Sequence, residues 1–204
     1  MPRDKMKSHL RIITAAKEEF LLKGFEKASM RSIAAAVDMT SAALYRHFKD
    51  KETMFSALVE PVLNELETKF KQHEEWDYQL LFQQNIEPMW EEGADLTMFL
   101  DLIYDNFVEF RLLICCSEGT RYADFIHDFV VKEQEATERY MAEAKKMGVP
   151  VNDIEPEELH LLLSAYVTAM FEVVVHDFTK EKAVHYMGTL RRFFIPGWRA
   201  VLGL

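Results

Sequence analysis

Seven glycines and six prolines are all the strong chain breakers that 204 residues contain. A fold of many short strands needs turn residues roughly every 8–12 positions. This chain offers too few of them, so long helices with few connections fit better. Its 49% hydrophobic and 28% charged residues match ordinary globular proteins and exclude a disordered chain. The length suits one large domain, or a small one joined to a larger one. No internal repeat, low-complexity stretch or strand-period segment of useful length is present. The expected fold class is all-α with about nine helices.

The first helix is expected over residues 7–23, with Leu10, Ile13 and Phe20 on its buried face and Gly24 as a left-handed cap. Ser29 caps a short second helix over 30–37. Asp38-Met39 makes a tight turn, Thr40 caps a third short helix over 41–47, and Asp50 caps a fourth from Lys51. Two short helices joined by so tight a turn form a helix-turn-helix unit, with Ile13, Phe20, Phe25, Ile33, Val37, Leu44 and Phe48 as its core. The fourth helix is expected to reach Glu75 with a kink at Pro61. Asp77-Tyr78 opens a fifth, which bends near Pro88 or stops by Gly93. Asp95 caps a sixth, Ser117-Glu118-Gly119-Thr120 is a loop, and a long helix spans 122–147. Gly148-Val149-Pro150 stops it, residues 149–156 form a linker, and Pro156 starts a helix over 156–178. A last helix runs from Lys180 to Pro196-Gly197.

The net charge of −10 argues against general nucleic-acid binding, but its distribution is uneven. Residues 1–51 carry a net +5 and residues 52–204 a net −15. A basic head on an acidic body suggests that the head alone meets a polyanion. The division is therefore drawn at 1–51 and 52–204. Adjacent Cys115 and Cys116 cannot build a disulfide framework. They read as buried small residues, with a thiol sensor as the sharper alternative. Residues 1–10 are charged, with no apolar run of the signal-peptide kind. The apolar run 159–178 is interrupted by His160, Glu172, His176 and Asp177, a pattern suited to a buried helix. The expectation is a soluble cytoplasmic protein with no membrane partner.

The run Phe20-Leu21-Leu22-Lys23-Gly24-Phe25, then Ser29-Met30-Arg31-Ser32-Ile33-Ala34, then Leu44-Tyr45-Arg46-His47-Phe48-Lys49-Asp50-Lys51-Glu52 resembles the TetR family of bacterial transcriptional regulators. The Leu-Tyr-x-His-Phe-x-x-Lys-Glu signature is its clearest part. The likeness covers residues 7–55, and beyond them only length and helical character match. It implies a homodimeric repressor whose third helix enters the major groove and whose body releases DNA when a small molecule binds.

The residues make physical sense of that reading. Lys51 lies in the first turn of a helix, where a positive charge is unfavourable, and Lys49 just before it. A DNA phosphate reverses that penalty. Tyr45 and His47 carry groups suited to phosphate oxygens, and the N–H groups at Thr40 and Ser41 offer an anion site. Arg31 has the reach for a base edge, most often guanine. The resemblance implies that Ser29, Tyr45, His47 and Lys51 hold the backbone while Arg31, Ser41 and Ala42 face bases. Asp38 stands where the family usually has Gly; Asp tolerates a left-handed backbone better than most residues. Ala42 and Ala43 stand where Gly and Thr or Ser are common, leaving apolar contact with thymine methyls as their readout.

In the body, Trp76, Trp90, Phe99, Tyr104, Phe107, Phe110, His127 and Tyr140 are candidates for an apolar cavity with a few polar groups. His160, Ser164, Thr168, Glu172 and His176 form a polar stripe at four-residue spacing. It either meets water at an edge or turns Glu172 and His176 toward a ligand or a dimer interface. The resemblance implies that the last two long helices pair with their partner's copies. Tyr166, Met170, Val174, Tyr186, Leu190, Phe193 and Phe194 are then the seam residues. Glu157-x-x-His160 matches one element of a di-iron pattern that needs two, with further glutamates. The sequence has no His-Glu-x-x-His, P-loop, Gly-x-Gly-x-x-Gly or Gly-x-Ser-x-Gly. Neither a cofactor, a metal nor an enzymatic activity is expected. The alternatives are a metal-binding protein or enzyme using Glu157 and His160, and a DNA-binding regulator controlled by a protein partner.

Overall fold

A computed structural model describes residues 2–90 and 94–204, and among these there are nine α-helices, one short 3-10 helix and no strand. The helices are α1 (Pro2–Lys27), α2 (Met30–Ala36), α3 (Ser41–Leu44), α4 (Lys51–Phe82), α5 (Ala94–Asp105), α6 (Phe107–Cys115), α7 (Phe125–Lys146), α8 (Pro156–Val175) and α9 (Lys180–Leu202), with the 3-10 turn at Glu87–Met89. The stop expected at Gly93 lies outside the described residues, as does the side chain of Asp95.

Two compact units result. The first is residues 1–65 with 106–123, the second residues 66–105 with 124–204. In the first, α1 breaks at Gly24 (φ 72°, ψ 165°), a conformation that costs glycine little. The buried stripe of α1 is Ile12, Ala15, Ala16 and Phe20, one position off the expected face: Leu10 is 68% exposed and Ile13 half-buried. Two alanines let α1 approach its neighbours closely, which the larger Leu10 and Ile13 do not. Phe20, Phe25 and Phe55 pack ring on ring, with centroids 5.2–5.9 Å apart. The segment 106–123 closes this unit: the Phe25 N–H donates to the Cys116 carbonyl at 2.9 Å, and Lys17 pairs with Glu109.

Four helices end alike. Residues Asp38, Gln84, Gly148 and Asp177 take φ of 57°, 54°, 79° and 53°. In each case the following N–H reaches the carbonyl five residues back, as in Met39 to Ala34 and Asn85 to Leu80. This is the Schellman arrangement. At Asp38 it is the tight turn expected there, with Asp in the left-handed backbone where glycine is usual. It also explains a departure: α4 continues through Pro61 and Asp77-Tyr78 to Phe82, because its stop is Gln84. The expected break after Glu75 and the separate helix from Asp77 are therefore replaced by one long helix. Similarly, α9 passes through Pro196-Gly197 and ends on Gly203 (φ 77°). Asn106 interrupts the expected sixth helix, giving α5 and α6.

In the second unit α8 packs against α7 and α9, burying Leu159, Leu163, Val167, Met170, Phe171, Val173 and Val174. By length and composition α8 is apolar enough to cross a membrane, with mean hydropathy 1.5 over its most apolar window, of which 39% is buried. The expected linker connects α7 to α8 within this unit. Val149 and Val151 pack on Leu81, Tyr140 and Ala144, and the Asn152 N–H donates to the Leu202 carbonyl at 2.8 Å.

Candidate nucleic-acid interface and cavity

Side chains that satisfy their own backbone build the helix-turn-helix. Ser29 takes an extended backbone (φ −134°, ψ 139°) and its hydroxyl accepts the Ser32 N–H at 3.1 Å. Thr40 does the same for the Ala43 N–H at 3.2 Å, and the Asp50 carboxylate for the Thr53 N–H at 2.7 Å. Each cap is worth about 1 kcal/mol. Arg11 donates to the Val37 carbonyl at 3.2 Å, at the end of α2. Leu44 and Phe48 are buried beneath α3, and His9 stacks on Phe48 with centroids 5.5 Å apart.

Glu19 is a further brace, missed in the sequence because no motif includes it. Its carboxylate accepts from Lys23 at 2.9 Å, from the Ser29 N–H at 3.2 Å and from the Ser32 hydroxyl at 3.1 Å. Burial raises its pKa, but these hydrogen bonds outweigh it and hold the carboxyl below its ordinary value. Stability from a lowered carboxylate pKa is present above the unfolded pKa and lost as pH falls through the folded one. At pH 7 we expect Glu19→Gln to lose about 1–2 kcal/mol of unfolding free energy. The difference from wild type should shrink once the pH drops below the carboxylate range. Urea titrations at pH 7 and pH 3 check both.

The outer face is free. Arg31, Ala42, Tyr45, His47 and Lys49 are exposed, and among the described residues none of their side chains is engaged in a hydrogen bond or ion pair. Ser41 is half-buried at the start of α3. Arg46, which the sequence reading passed over, is exposed beside Tyr45 and adds a third cation to Arg31 and Lys49. Its signal was its position inside the Leu44–Phe48 signature between two exposed aromatic residues.

Two expectations change. Lys51 Nζ donates to the carbonyls of Phe25, Glu26 and Ala28 at 2.5, 3.0 and 3.0 Å and lies 4.3 Å from the Phe25 ring centre. Its charge is offset by the carbonyls that follow Gly24, so no phosphate is needed to explain a lysine at a helix start. The third helix is also shorter than expected. α3 has four residues, and the chain tightens into three-residue hydrogen bonds, His47 N–H to Leu44 at 2.9 Å among them. So short a helix has little macrodipole, and the N–H groups at Thr40 and Ser41 act individually.

The second unit holds a cavity of about 130 Å³ between α4, α7 and the residues on either side of Gly203. Trp90 and Tyr140 of the expected ligand set line it, with Phe70, Met89, Met141, Leu202 and Leu204. Its polar lining is His73, Glu74, Asp77, Glu133 and Thr137. The Tyr140 hydroxyl meets the Met89 sulfur at 3.0 Å, and burial, with Asp77 and Tyr78 nearby, pushes its pKa up strongly. Trp76 and Phe99 stand one layer out, packed on His73 at 5.8 and 6.4 Å.

The remaining candidates lie elsewhere. Phe110 is core and Phe107 half-buried, both in the first unit. Tyr104 donates to the Phe178 carbonyl at 2.7 Å. His127 is exposed, 5.5 Å from the His160 ring. Glu172 pairs with exposed His176 at 2.9 Å. Glu172 also acts on the Tyr186 hydroxyl of α9, whose pKa burial raises first, and the His176 ring lies 6.1 Å from that of Phe178. His160 Nδ1 lies 3.0 Å from the Gln134 side-chain oxygen. Of the expected seam, Met170, Val174 and Leu190 are buried inside the unit itself, because α7, α8 and α9 need them for their own core. Tyr186 donates to the Ala169 carbonyl at 3.1 Å, and Tyr166 packs on Phe194 at 5.0 Å. Phe193 is 75% exposed, and Leu161, Val175 and Val184 are exposed on the same two helices. Cys115 is exposed and Cys116 buried. Burial raises the Cys116 thiol, the direction opposite to that of a reactive thiolate.

Residues 12–58 match the family described as bacterial regulatory proteins, tetR family. The match begins at Ile12 in α1, spans α2 and α3, and ends at Leu58 in α4. Two crystal structures of NalD, the secondary repressor of the MexAB-OprM multidrug efflux pump in Pseudomonas aeruginosa, share the fold. One aligns with a TM-score of 0.59 and 22% identity over 93% of this chain and 96% of that one. The other gives 0.56 and 22% over 92% and 96%.

Proposed function

We propose that this chain, a transcriptional regulator that carries the TetR-family head, is a repressor that binds an inverted-repeat operator as a homodimer. A small molecule held in the second unit would release it. The observation that carries the reading is the exposed face of α2 and α3. It presents Arg31, Arg46 and Lys49 around Ser41, Ala42, Tyr45 and His47, on a base fixed by three capping side chains. Uncommitted cations on a rigid, short helix pair are what phosphate contacts and base readout require. Ser29 and Thr40 keep a hydroxyl hydrogen to donate to phosphate after accepting their cap bonds. Lys51 supports the head from behind. The functional division stays at residue 51, since the residues that meet DNA all precede it.

Dimerisation is supported by Leu161, Val175, Val184 and Phe193, apolar residues left in water on α8 and α9. Leu161 and Val175 share one face of α8, while Val184 and Phe193 lie on opposite sides of α9, so α8 carries the shared apolar face, and such a face marks an interaction surface. Likeness in fold to NalD, a repressor by name, is consistent with repression. Release is a population shift: the effector must bind more tightly to the conformation whose heads no longer fit the half-site spacing. Nothing in the reading calls on enzymatic chemistry, and it places the chain with DNA in the cytoplasm.

Selection of bound sequences from a random duplex pool tests the reading. Inverted repeats with half-sites about one helical turn apart, or a multiple, are expected. Recovery of no preferred sequence contradicts it. On the recovered operator, Arg31→Ala should cost about 1–3 kcal/mol at one base position and leave other sequences little changed. Anisotropy titrations against point-substituted operators check this, and an equal loss on every duplex shows that Arg31 reads no base.

A further inference from the structure

We propose that the cavity of the second unit is a binding site for a compact neutral molecule: one aromatic ring carrying a hydrogen-bond acceptor such as a carbonyl oxygen. The inference deepens the effector part of the proposed function and rests on it.

The charges on the wall exclude an ion. Glu74, Asp77 and Glu133 border the cavity, and each is already engaged. Glu74 pairs with Arg139 at 2.8 Å, His73 faces Asp77 at 3.6 Å, and Glu133 acts on the neighbouring Lys132 ammonium. Asp77 and Glu133 have further interactions as well. Two aromatic faces are taken in the same way. Lys132 stands 4.3 Å from the Phe70 ring centre and Arg199 5.8 Å from that of Trp90. A ligand cation gives up its hydration for carboxylates and rings that already have a cation, and a ligand anion meets three carboxylates. Burying either charge without a partner of its own costs far more than burying a neutral group.

What remains is apolar surface and two donors. Met89, Met141, Leu202 and Leu204 line the cavity. Thioethers adapt their shape and favour contact with aromatic rings, which selects a flat ring. The Tyr140 hydroxyl donates to the Met89 sulfur at 3.0 Å, a weak acceptor. Burial, with Asp77 and Tyr78 nearby, pushes the Tyr140 pKa up, so the hydroxyl keeps its proton at any working pH. A carbonyl oxygen is the stronger acceptor and takes that bond over. Trp90 also lines the cavity, and its Nε1 is buried with no hydrogen-bond partner among the described residues. Native interiors leave few such donors unpaired, and an acceptor on the ligand supplies the partner. The volume of about 130 Å³ is close to the roughly 150 Å³ that accepts benzene in an engineered apolar cavity, so one ring with a short arm fills it.

Four probes test this by calorimetry on the full-length chain at pH 7.5: acetophenone, ethylbenzene, which lacks the acceptor, benzylamine, a cation there, and benzoate. We expect acetophenone to bind at least as tightly as ethylbenzene, although water holds the ketone better, and both ions at least about tenfold more weakly than acetophenone. Tyr140→Phe and Trp90→Phe, each verified as folded by circular dichroism, should weaken acetophenone about tenfold and leave ethylbenzene unchanged. A selective loss in one variant alone supports the acceptor and names its donor. Either ion binding as tightly as acetophenone overturns the inference. So does tighter binding of ethylbenzene than of acetophenone, binding of none of the four, or the absence of a selective loss in both variants. The ranking of the probes on the wild-type chain decides the matter even where a variant does not fold. The same preparation is assayed on the selected operator. Operator binding without the neutral-acceptor preference overturns the site and leaves the regulator. That preference without binding to any duplex leaves the site and overturns the regulator.

Discussion

Phe55→Ala is expected to lower the unfolding free energy of the first unit by about 3–5 kcal/mol. Phe55 is fully buried. It meets Phe20 and Phe25 edge-on at 5.2 and 5.5 Å and lies 6.0 Å from the Tyr122 ring. Truncation removes the ring's transfer free energy and leaves a void that Phe20, on α1, and Phe25, beyond the break at Gly24, cannot jointly fill. Domains of this size have about 5–15 kcal/mol in total, so the loss is a large share. Urea unfolding at pH 7 measures it, and Phe55→Leu, which keeps most of the volume, should cost less than half as much.

Lys51→Ala should also act on stability. It leaves the carbonyls of Phe25, Glu26 and Ala28 without their shared donor and removes the cation from the Phe25 ring. Hydrogen bonds to a charged group are worth about 1.5–3 kcal/mol. The site is half-open to water, which repairs part of the loss, so the expected cost is about 2–3 kcal/mol. At a temperature where the variant is folded, the salt dependence of DNA binding should equal that of wild type, because slope counts phosphate contacts. A slope reduced by about one contact restores Lys51 to the interface.

The head was legible in the sequence because its punctuation is chemical. Ser29, Thr40 and Asp50 are cap residues, and each caps the helix assigned to it. Gly24 stands at the break expected of it. Elsewhere the stop signals are quieter. The left-handed Gln84 ends α4, and nothing in its residue type announces that, whereas Asp77 reads as a helix start that α4 does not use. Pro196-Gly197 looked like a stop and is not one, since α9 tolerates both and ends on Gly203. The buried face of α1 is hard to read from the sequence because Ala15 and Ala16 carry a weak apolar signal, although close helix approach needs small residues.

The cavity was less legible than the head. Trp90 and Tyr140 were found by residue type alone. Glu74, Asp77 and Glu133 lie on α4 and α7, 56 and more positions apart between the two helices, and no local pattern relates them. Seam residues were misread for a related reason: a very apolar helix does not say which of its sides its own unit covers. Met170, Val174 and Leu190 went inward, and Phe193 stayed out.

The central claim is that α3 presents its outer face to DNA. Ala42→Asp tests it most directly. Ala42 is exposed in the first turn of α3, where Asp costs at most about 0.7 kcal/mol of helix propensity relative to Ala. The variant should therefore unfold at the same urea concentration as wild type, or a little lower. A carboxylate there opposes phosphates and displaces the methyl contact with thymine. With each contact worth roughly 1–3 kcal/mol and lost once in each head of a dimer, operator affinity should fall by about a hundredfold or more. Anisotropy with the selected operator at fixed salt gives the number. Undiminished binding by a normally stable Ala42→Asp protein contradicts the account.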